Sequence, residues 1–425
     1  ANPADVIEDS GVSSAITIAG LGAGGGVDET AGASPQTLTL APASSNTDLI
    51  ADAALILSAM DWTTGDDDPT ITFTPTADMS GTALITVTVT DDGTNNTVEA
   101  PLTAVTTFTV TVTDVNDPPT MSAIATPASV AEDSGVSAAI TIAGLAAGGG
   151  ADETTAQALA LSASSSDETV VAAVGLDLSA ATWQSPDGDP TIAFTPVADA
   201  IGTTVITVTA LDNGTSGPSD DPLSISQTFT VTVTEVNDAP TIGAISTPGA
   251  VSEDSAESAP ITIPGLSTGG GADESSGGSS QTLTLTASSS DEAVVPAANV
   301  AFIVPTWSTG DDDPTATFTP APDVNGTADI TITVTDDGTT AGGEAHLSAS
   351  TTFTVTVNGV NDPPTFDDIG PVTVAEDAAE QTVAITTVSP GASPDESTQT
   401  VTFAAVSDDE TVVTDASISV SGTGA

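Results

Sequence analysis

The chain has 425 residues, 59 of them acidic, with one histidine and no lysine, arginine, cysteine or tyrosine. An average chain of this length carries about 50 basic side chains. Their absence leaves a formal net charge of −59, which repels nucleic acid and anionic membranes and attracts cations. Disulfides, thiolate metal sites and side-chain salt bridges beyond what His346 offers are excluded. No run of about 18 apolar residues suggests a membrane span, so neither nucleic acid nor direct membrane insertion is expected. The opening "ANPADVIEDS" has no basic region and no apolar signal segment. It reads as the start of a mature or trimmed chain, and placement outside the cell is inferred from composition and repetition.

High net charge often marks disorder. Here 38% of the residues are hydrophobic, and they fall in alternating runs. In chain order the runs are a short strand at "VIEDS", then "SSAITIAG", "QTLTLAP" and "ALILSA". After a tryptophan come "TITFTP", "TALITVTVT" and "TTFTVTVT". Apolar and polar residues alternate at period two, and threonine, valine and isoleucine suit a half-buried pleated strand. In "TALITVTVTDDG", Ala83, Ile85, Val87 and Val89 share the predicted core face, and Leu84, Thr86, Thr88 and Thr90 the other. About seven short strands per unit predict an all-β Greek-key sandwich of the immunoglobulin type, with a barrel as the alternative.

The pattern then repeats. Trp62, Trp183 and Trp307 are spaced by 121 and 124 residues, as are Phe108, Phe229 and Phe353, and Asn116, Asn237 and Asn361. Glu8, Glu132, Glu253 and Glu376 mark the front of each copy. Such a period is a whole small domain rather than a solenoid turn. The expected divisions are repeat 1 over 1–118, repeat 2 over 119–239, repeat 3 over 240–363 and a partial repeat 4 over 364–425. The fourth copy lacks the tryptophan strand and the final "TTFTVTVT" strand, so its inward face is expected to be partly bare. It belongs to a longer repetitive protein or is completed by another chain. The expected partners are calcium and either copies of this chain or neighbouring domains of a longer one.

Acidic residues recur outside the strands. The boundary set is Asp114, Asn116 and Asp117, then Glu235, Asn237 and Asp238, then Asn358, Asn361 and Asp362. An "ED" pair opens each copy, and "VDE" or "ADE" follows each glycine run. Further acids end the penultimate strand, lie in "DDDP" turns, and stand in the loop before the penultimate strand at Asp78, Asp199 and Asp323. Two readings stand at this point. Asp, Asn and Gly are ordinary turn formers. Alternatively, crowded carboxylates with no base to neutralise them gather a hard cation, and calcium takes six to eight oxygens. The boundary "VNDPP" sits where the trailing pole of one repeat meets the leading pole of the next, and its prolines already restrict the linker.

The runs "VTVTDVNDPPT", "VAEDS" and "TPTADMSGTALITVTVTDDG" resemble cadherin-like tandem repeats of large bacterial surface adhesins, of the tandem-95 or VCBS type. The resemblance spans nearly the whole chain. It implies immunoglobulin-like sandwiches in series, secretion to the cell surface, a spacer or adhesive role, and calcium between domains. Carried over by residue, the cadherin boundary pattern assigns Asp114, Asn116 and Asp117, and Glu235, Asn237 and Asp238, as ligands. Asn361 and Asp362 form the third set, with Asn358 where an acid is expected. Glu132, Glu253 and Glu376 stand in for the front glutamate.

An enzyme is not expected. A hydroxyl nucleophile needs an activating base, and His346 occurs in one copy only. The paired acids recur beside turns, as structural sites do. The glycine run "GLGAGGG" has no lysine and leads to a strand, so it reads as a flexible loop rather than a phosphate cradle. The tryptophans are read as core residues rather than a sugar-binding platform. The alternative function is a subunit of a self-assembling extracellular filament, sheath or surface layer. Sequons at Asn95, Asn213 and Asn325 permit glycosylation.

Overall fold

The threonine-rich alternating runs form the longest strands. A computed structural model of the chain describes residues 2–24, 36–93, 100–149, 153, 157–214, 221–270, 274, 281–338 and 345–422. Asn95, Asp28, Glu29, Asp152 and Asp273 lie outside the described residues. In the first repeat the strands are β1 (Val6–Ile7), β2 (Ile16–Thr17), β3 (Thr37–Ser44), β4 (Ile56–Leu57), β5 (Asp61–Thr63), β6 (Thr70–Thr72), β7 (Gly81–Asp91) and β8 (Thr103–Thr113). The tryptophan segment is itself a strand, β5, which pairs Trp62 with Leu38 and takes the count one beyond the expected seven.

Two sheets result, a five-stranded one ordered β1-β8-β7-β3-β5 and a three-stranded one ordered β2-β6-β4. Residues of both pack into one core. Leu40, Ile85, Val87 and Val110 of the larger sheet meet Ile71 of the smaller, with Phe73 just beyond it. The repeat is therefore a sandwich and not a barrel. Ile85 and Val87 are fully buried while Leu84 is 43% exposed, as the alternation requires. Trp62, Trp183 and Trp307 are all buried, which removes the aromatic platform that a sugar-binding face needs.

The second repeat reproduces this with β9 (Val130–Ala131), β10 (Ile140–Thr141), β11 (Leu159–Ser165), β12 (Leu176–Leu178), β13 (Thr182–Trp183), β14 (Thr191–Phe194), β15 (Gly202–Leu211) and β16 (Ser224–Thr234). The third has β17 (Val251–Ser252), β18 (Ile261–Thr262), β19 (Thr282–Ser289), β20 (Val300–Phe302), β21 (Thr306–Ser308), β22 (Thr315–Phe318), β23 (Gly326–Thr335) and β24 (Ser348–Asn358). Their sheets keep the same order. The chain divides into two units, residues 1–197 with 201–234, and residues 198–200 with 235–425.

The segment after the third repeat differs. Its described residues form no strand. They include the bridge from Thr365 to Ser389 and two short 3-10 helices, Pro394–Thr398 and Asp415–Ser417. Phe366, Val372 and Val374 are exposed. The run "QTVAIT" stands at the place of β18, which pairs with β22 in the third repeat, and it makes no strand here.

We predict that Ile85→Asp destabilises the first repeat by about 3 kcal/mol or more, by burying a charge in an aliphatic core. Leu84→Asp should leave it nearly unchanged. Urea unfolding followed by Trp62 fluorescence, with Trp183 and Trp307 replaced by phenylalanine, checks both.

Candidate metal centre at the repeat junctions

The site begins with a strand pairing. β1 runs parallel to β8, with Val6 opposite Val112 and Ile7 opposite Thr113. In a parallel pair, the residues that follow both strands emerge at the same pole. The front "ED" pair thus meets the linker that ends its own repeat. The Glu8 amide donates to the Thr113 carbonyl at 3.1 Å, and the Val115 amide donates to Glu8 Oε1 at 2.9 Å. Glu8 is buried. The next residue, Asp9, lies beside the linker.

Asp78 joins from the turn before β7. Its φ is 55°, a left-handed conformation that aspartate tolerates better than most residues. Asp199 and Asp323 repeat it, with φ of 54° and 58°. One carboxylate oxygen from each of Asp9, Asp78 and Asp117 lies within 4.8 Å of the others. The second unit has an equivalent group in Asp254, Asp323 and Asp362. In sequence, Asp133, Asp199 and Asp238 stand at the corresponding positions of the second repeat.

The second repeat closes over the first cluster. The Asp117 amide donates to Glu153 Oε1 at 2.9 Å, and Glu153 is buried. Gly148 and Gly149 run against the acids. A Cβ on Gly149 would strike the Asp117 and Asp78 carboxylates, and one on Gly148 would lie 2.8 Å from the Asp117 carbonyl oxygen. Gly148, at φ 153°, also adopts a backbone that glycine favours. The glycine run of the second repeat is thus a close approach of backbone to carboxylate, while residues 25 and 26 of "GLGAGGG" lie outside the described residues. In the second unit Gly270 meets Asp238 and Asp199 in the same way, and the Asp238 amide donates to Glu274 Oε1 at 2.6 Å.

Electrostatics agree with the geometry. Burial, and then the charges of Asp9 and Asp78, push the Asp117 carboxyl above its usual range. Burial, followed by Asp254 and Asp323, does the same to Asp362. Among the described residues no base stands near either group, so protons or a cation must relieve the repulsion. Asp362 Oδ2 and Glu396 Oε2 are buried without a hydrogen-bond donor. An all-oxygen donor set with such orphaned acceptors suits a hard cation, and calcium in particular.

The sequence-predicted ligands are distributed unevenly. Asp117 and Asp362 belong to the clusters. Asp114 and Glu235 lie half-buried in their linkers. Asn116 and Asn237 are buried, and their amides turn to the following repeat. Asn361 is exposed, as is Glu376. Glu253 accepts the Val360 amide at 2.8 Å, so it serves the linker after its own repeat, as Glu8 does. The Glu132 amide likewise donates to Thr234 of its own last strand. Strand register also corrects one alignment. Val112 and Val357 are equivalent partners of the front strands, so Gly359, not Asn358, stands where Asp114 stands. A Cβ there would strike the Asp395 carboxylate.

Glu8, Asp9, Asp78, Asp254 and Asp323 were absent from the boundary pattern, although their recurrence at one spacing was a usable signal. The "DDDP" acids are turn formers. Asp66 Oδ2 accepts the Thr63 amide at 2.8 Å and the Thr63 hydroxyl at 2.7 Å, and these bonds hold its carboxyl below the usual range.

No protein-family model matches the chain. No curated protein matches it either. Among solved structures, it is similar to human CDH23 EC21-23, at 14% identity and a TM-score of 0.37, over 75% of this chain and 88% of that one. The human desmocollin-1 ectodomain matches at 14% and 0.32, over 71% and 52%. Domains 4–9 of the surface layer protein SbsC match at 16% and 0.19, over 77% and 40%. The chain is a series of repeated all-β units, each with a five-stranded and a three-stranded sheet in Greek-key-like order. All these TM-scores lie below 0.5, so the likenesses say nothing about the site, whose chemistry is set by the chain's own residues.

Two outcomes follow. A carboxyl whose pKa rises on folding binds its proton more tightly in the folded form. Stability is therefore lost as pH climbs from the usual carboxylate value through the raised one, and returns on acidification. In chelator, Asp117→Asn should melt a few degrees above the parent at neutral pH, with the gap closing below the usual carboxylate range. In millimolar calcium the order should reverse. Gly149→Ala should weaken calcium binding about tenfold or more by displacing Asp78 and Asp117, as read by calorimetry.

Proposed function

We propose that this protein is an extracellular spacer or adhesion protein whose repeat junctions are stiffened by calcium. One observation carries the reading. Acids from three separate segments, Asp9, Asp78 and Asp117, converge where Gly148 and Gly149 of the next repeat press against them. A cation held there draws on the front, the trailing loop and the linker of one repeat, and lies against the backbone of the next. Calcium fits better than magnesium because it accepts irregular shells of six to eight oxygens, whereas magnesium demands a near-ideal octahedron. Extracellular calcium modules bind at about 10⁻⁴ to 10⁻³ M, which keeps a site filled outside a cell and not inside one.

The boundaries then fall near 118, 239 and 363, each just after a terminal strand. Asp9, Asp78 and Asp117 are the proposed ligands at the first, and Asp254, Asp323 and Asp362 at the third, with Glu253 and Glu396 beside the latter. The role is mechanical and not catalytic. The chain's one imidazole, His346, has its Nδ1 2.8 Å from the Asp336 carbonyl oxygen and no serine, threonine or acid is paired with it as a nucleophile in the described residues.

Small-angle scattering of the full chain tests this in chelator, in chelator with added sodium chloride, and in millimolar calcium at matched ionic strength. Monovalent salt screens charge without fixing an angle. The expected result is a longer maximum dimension in calcium only, with calcium-binding heat by calorimetry. Three identical profiles and no heat would refute the reading. Calcium-dependent growth in mass would instead favour a self-assembling subunit.

A further inference from the structure

The boundary asparagines do something other than bind the cation. Asn116 is 6% exposed, and its side chain is committed to the second repeat. One amide hydrogen goes to Asp212 Oδ1 at 3.2 Å and the other to the Asp221 carbonyl at 3.1 Å. Its Oδ1 accepts from Gln157 Nε2 at 2.7 Å. Asp212 is itself 1% exposed, and the same Oδ1 accepts the Gly214 and Leu223 amides, each at 2.9 Å. The second repeat thus presents a socket of one buried carboxylate, one buried glutamine and one carbonyl, and the linker inserts an amide into it, while Asp212 Oδ2 and Gln157 Oε1 are left without a donor.

The arrangement recurs. In the second unit, Asn237 donates to Asp336 at 3.4 Å and to the Ala345 carbonyl at 3.1 Å. It accepts from Gln281 Nε2 at 2.6 Å. The third linker departs from it. Asn361 is exposed, donates to the neighbouring Asp362 carbonyl at 3.4 Å, and keeps only the glutamine contact, from Gln399 at 3.1 Å. That linker has an aspartate cluster.

We propose that Asn116 is a cation-independent pin, a positioning residue that docks the first linker on the second repeat through Asp212 and Gln157, separately from the aspartate cluster. A hydrogen bond to a charged, buried acceptor is worth more than one between neutral groups, and removal of the amide leaves the Asp212 carboxylate short of a donor. Chelation therefore loosens the first junction only in part. Because the pin needs no ion, it stands or falls apart from the calcium reading.

Hydrogen exchange of the full chain, read by mass spectrometry, tests it. Asn116→Ala should speed exchange at 114–117 by about tenfold or more in chelator, with calcium heat retained. Asn116→Asp should do the same without loss of volume, because it sets a carboxylate with no hydrogen to donate against the Asp212 carboxylate and the Asp221 carbonyl. Equal exchange in Asn116→Ala and the parent in chelator would overturn the pin. So would loss of calcium heat in that variant with chelator exchange unchanged, because Asn116 would then be a ligand.

Discussion

The parallel pairing of the first short strand with the last long one governs the rest of each repeat. Val6 lies against Val112 and Val251 against Val357. Two residue pairs are a small contact, yet they decide which acids meet. They bring a front glutamate onto the linker amide and place the next aspartate beside the linker aspartate. An antiparallel pairing would send the front pair to the opposite pole, and no cluster would form. Every other feature of the junction, including the strained Asp78 turn and the glycines opposite, is arranged around the point where these acids converge.

Convergence of like charge costs stability, and this sequence has no lysine or arginine to offset it. The raised carboxyls of Asp117 and Asp362 record that cost. Burial makes it worse, because Glu153 and Glu253 bring further acid to the same places at 1% exposure each. An assembly of this kind is stable where something cationic is abundant. The socket around Asn116 works in the other direction, since amide hydrogens alone serve one oxygen of a buried acid, Asp212 Oδ1. A junction can thus combine an ion-dependent part and an ion-independent part within a few residues of linker.

Much of the fold was legible in the sequence because period-two alternation is a local signal. The core face of β7 was correctly read from Ala83, Ile85 and Val87, and the tryptophans were correctly placed in the core. The short strand β5 was less visible, since three residues around Trp62 carry too little pattern. The site was only half legible. The boundary motif pointed to Asp117 and Asp362, but the partners Asp9, Asp78, Asp254 and Asp323 come from segments far off in sequence, and only strand topology brings them together. Glycines 148 and 149 looked like slack, and their reason appears only when the carboxylates opposite them are seen. The role of Asn116 was hidden for the same reason, because amide side chains serve equally well as ligands and as hydrogen-bond donors.

The central claim is that these acids form a shared cation site set by strand topology. Anomalous diffraction from crystals grown with calcium, or with a lanthanide in its place, tests it most directly. The account predicts a metal peak bonded to oxygens of Asp9, Asp78 and Asp117, with a second at Asp254, Asp323 and Asp362. Crystals that hold metal only at exposed acids such as Asp66 to Asp68, with both clusters bare at saturating ion, would contradict it.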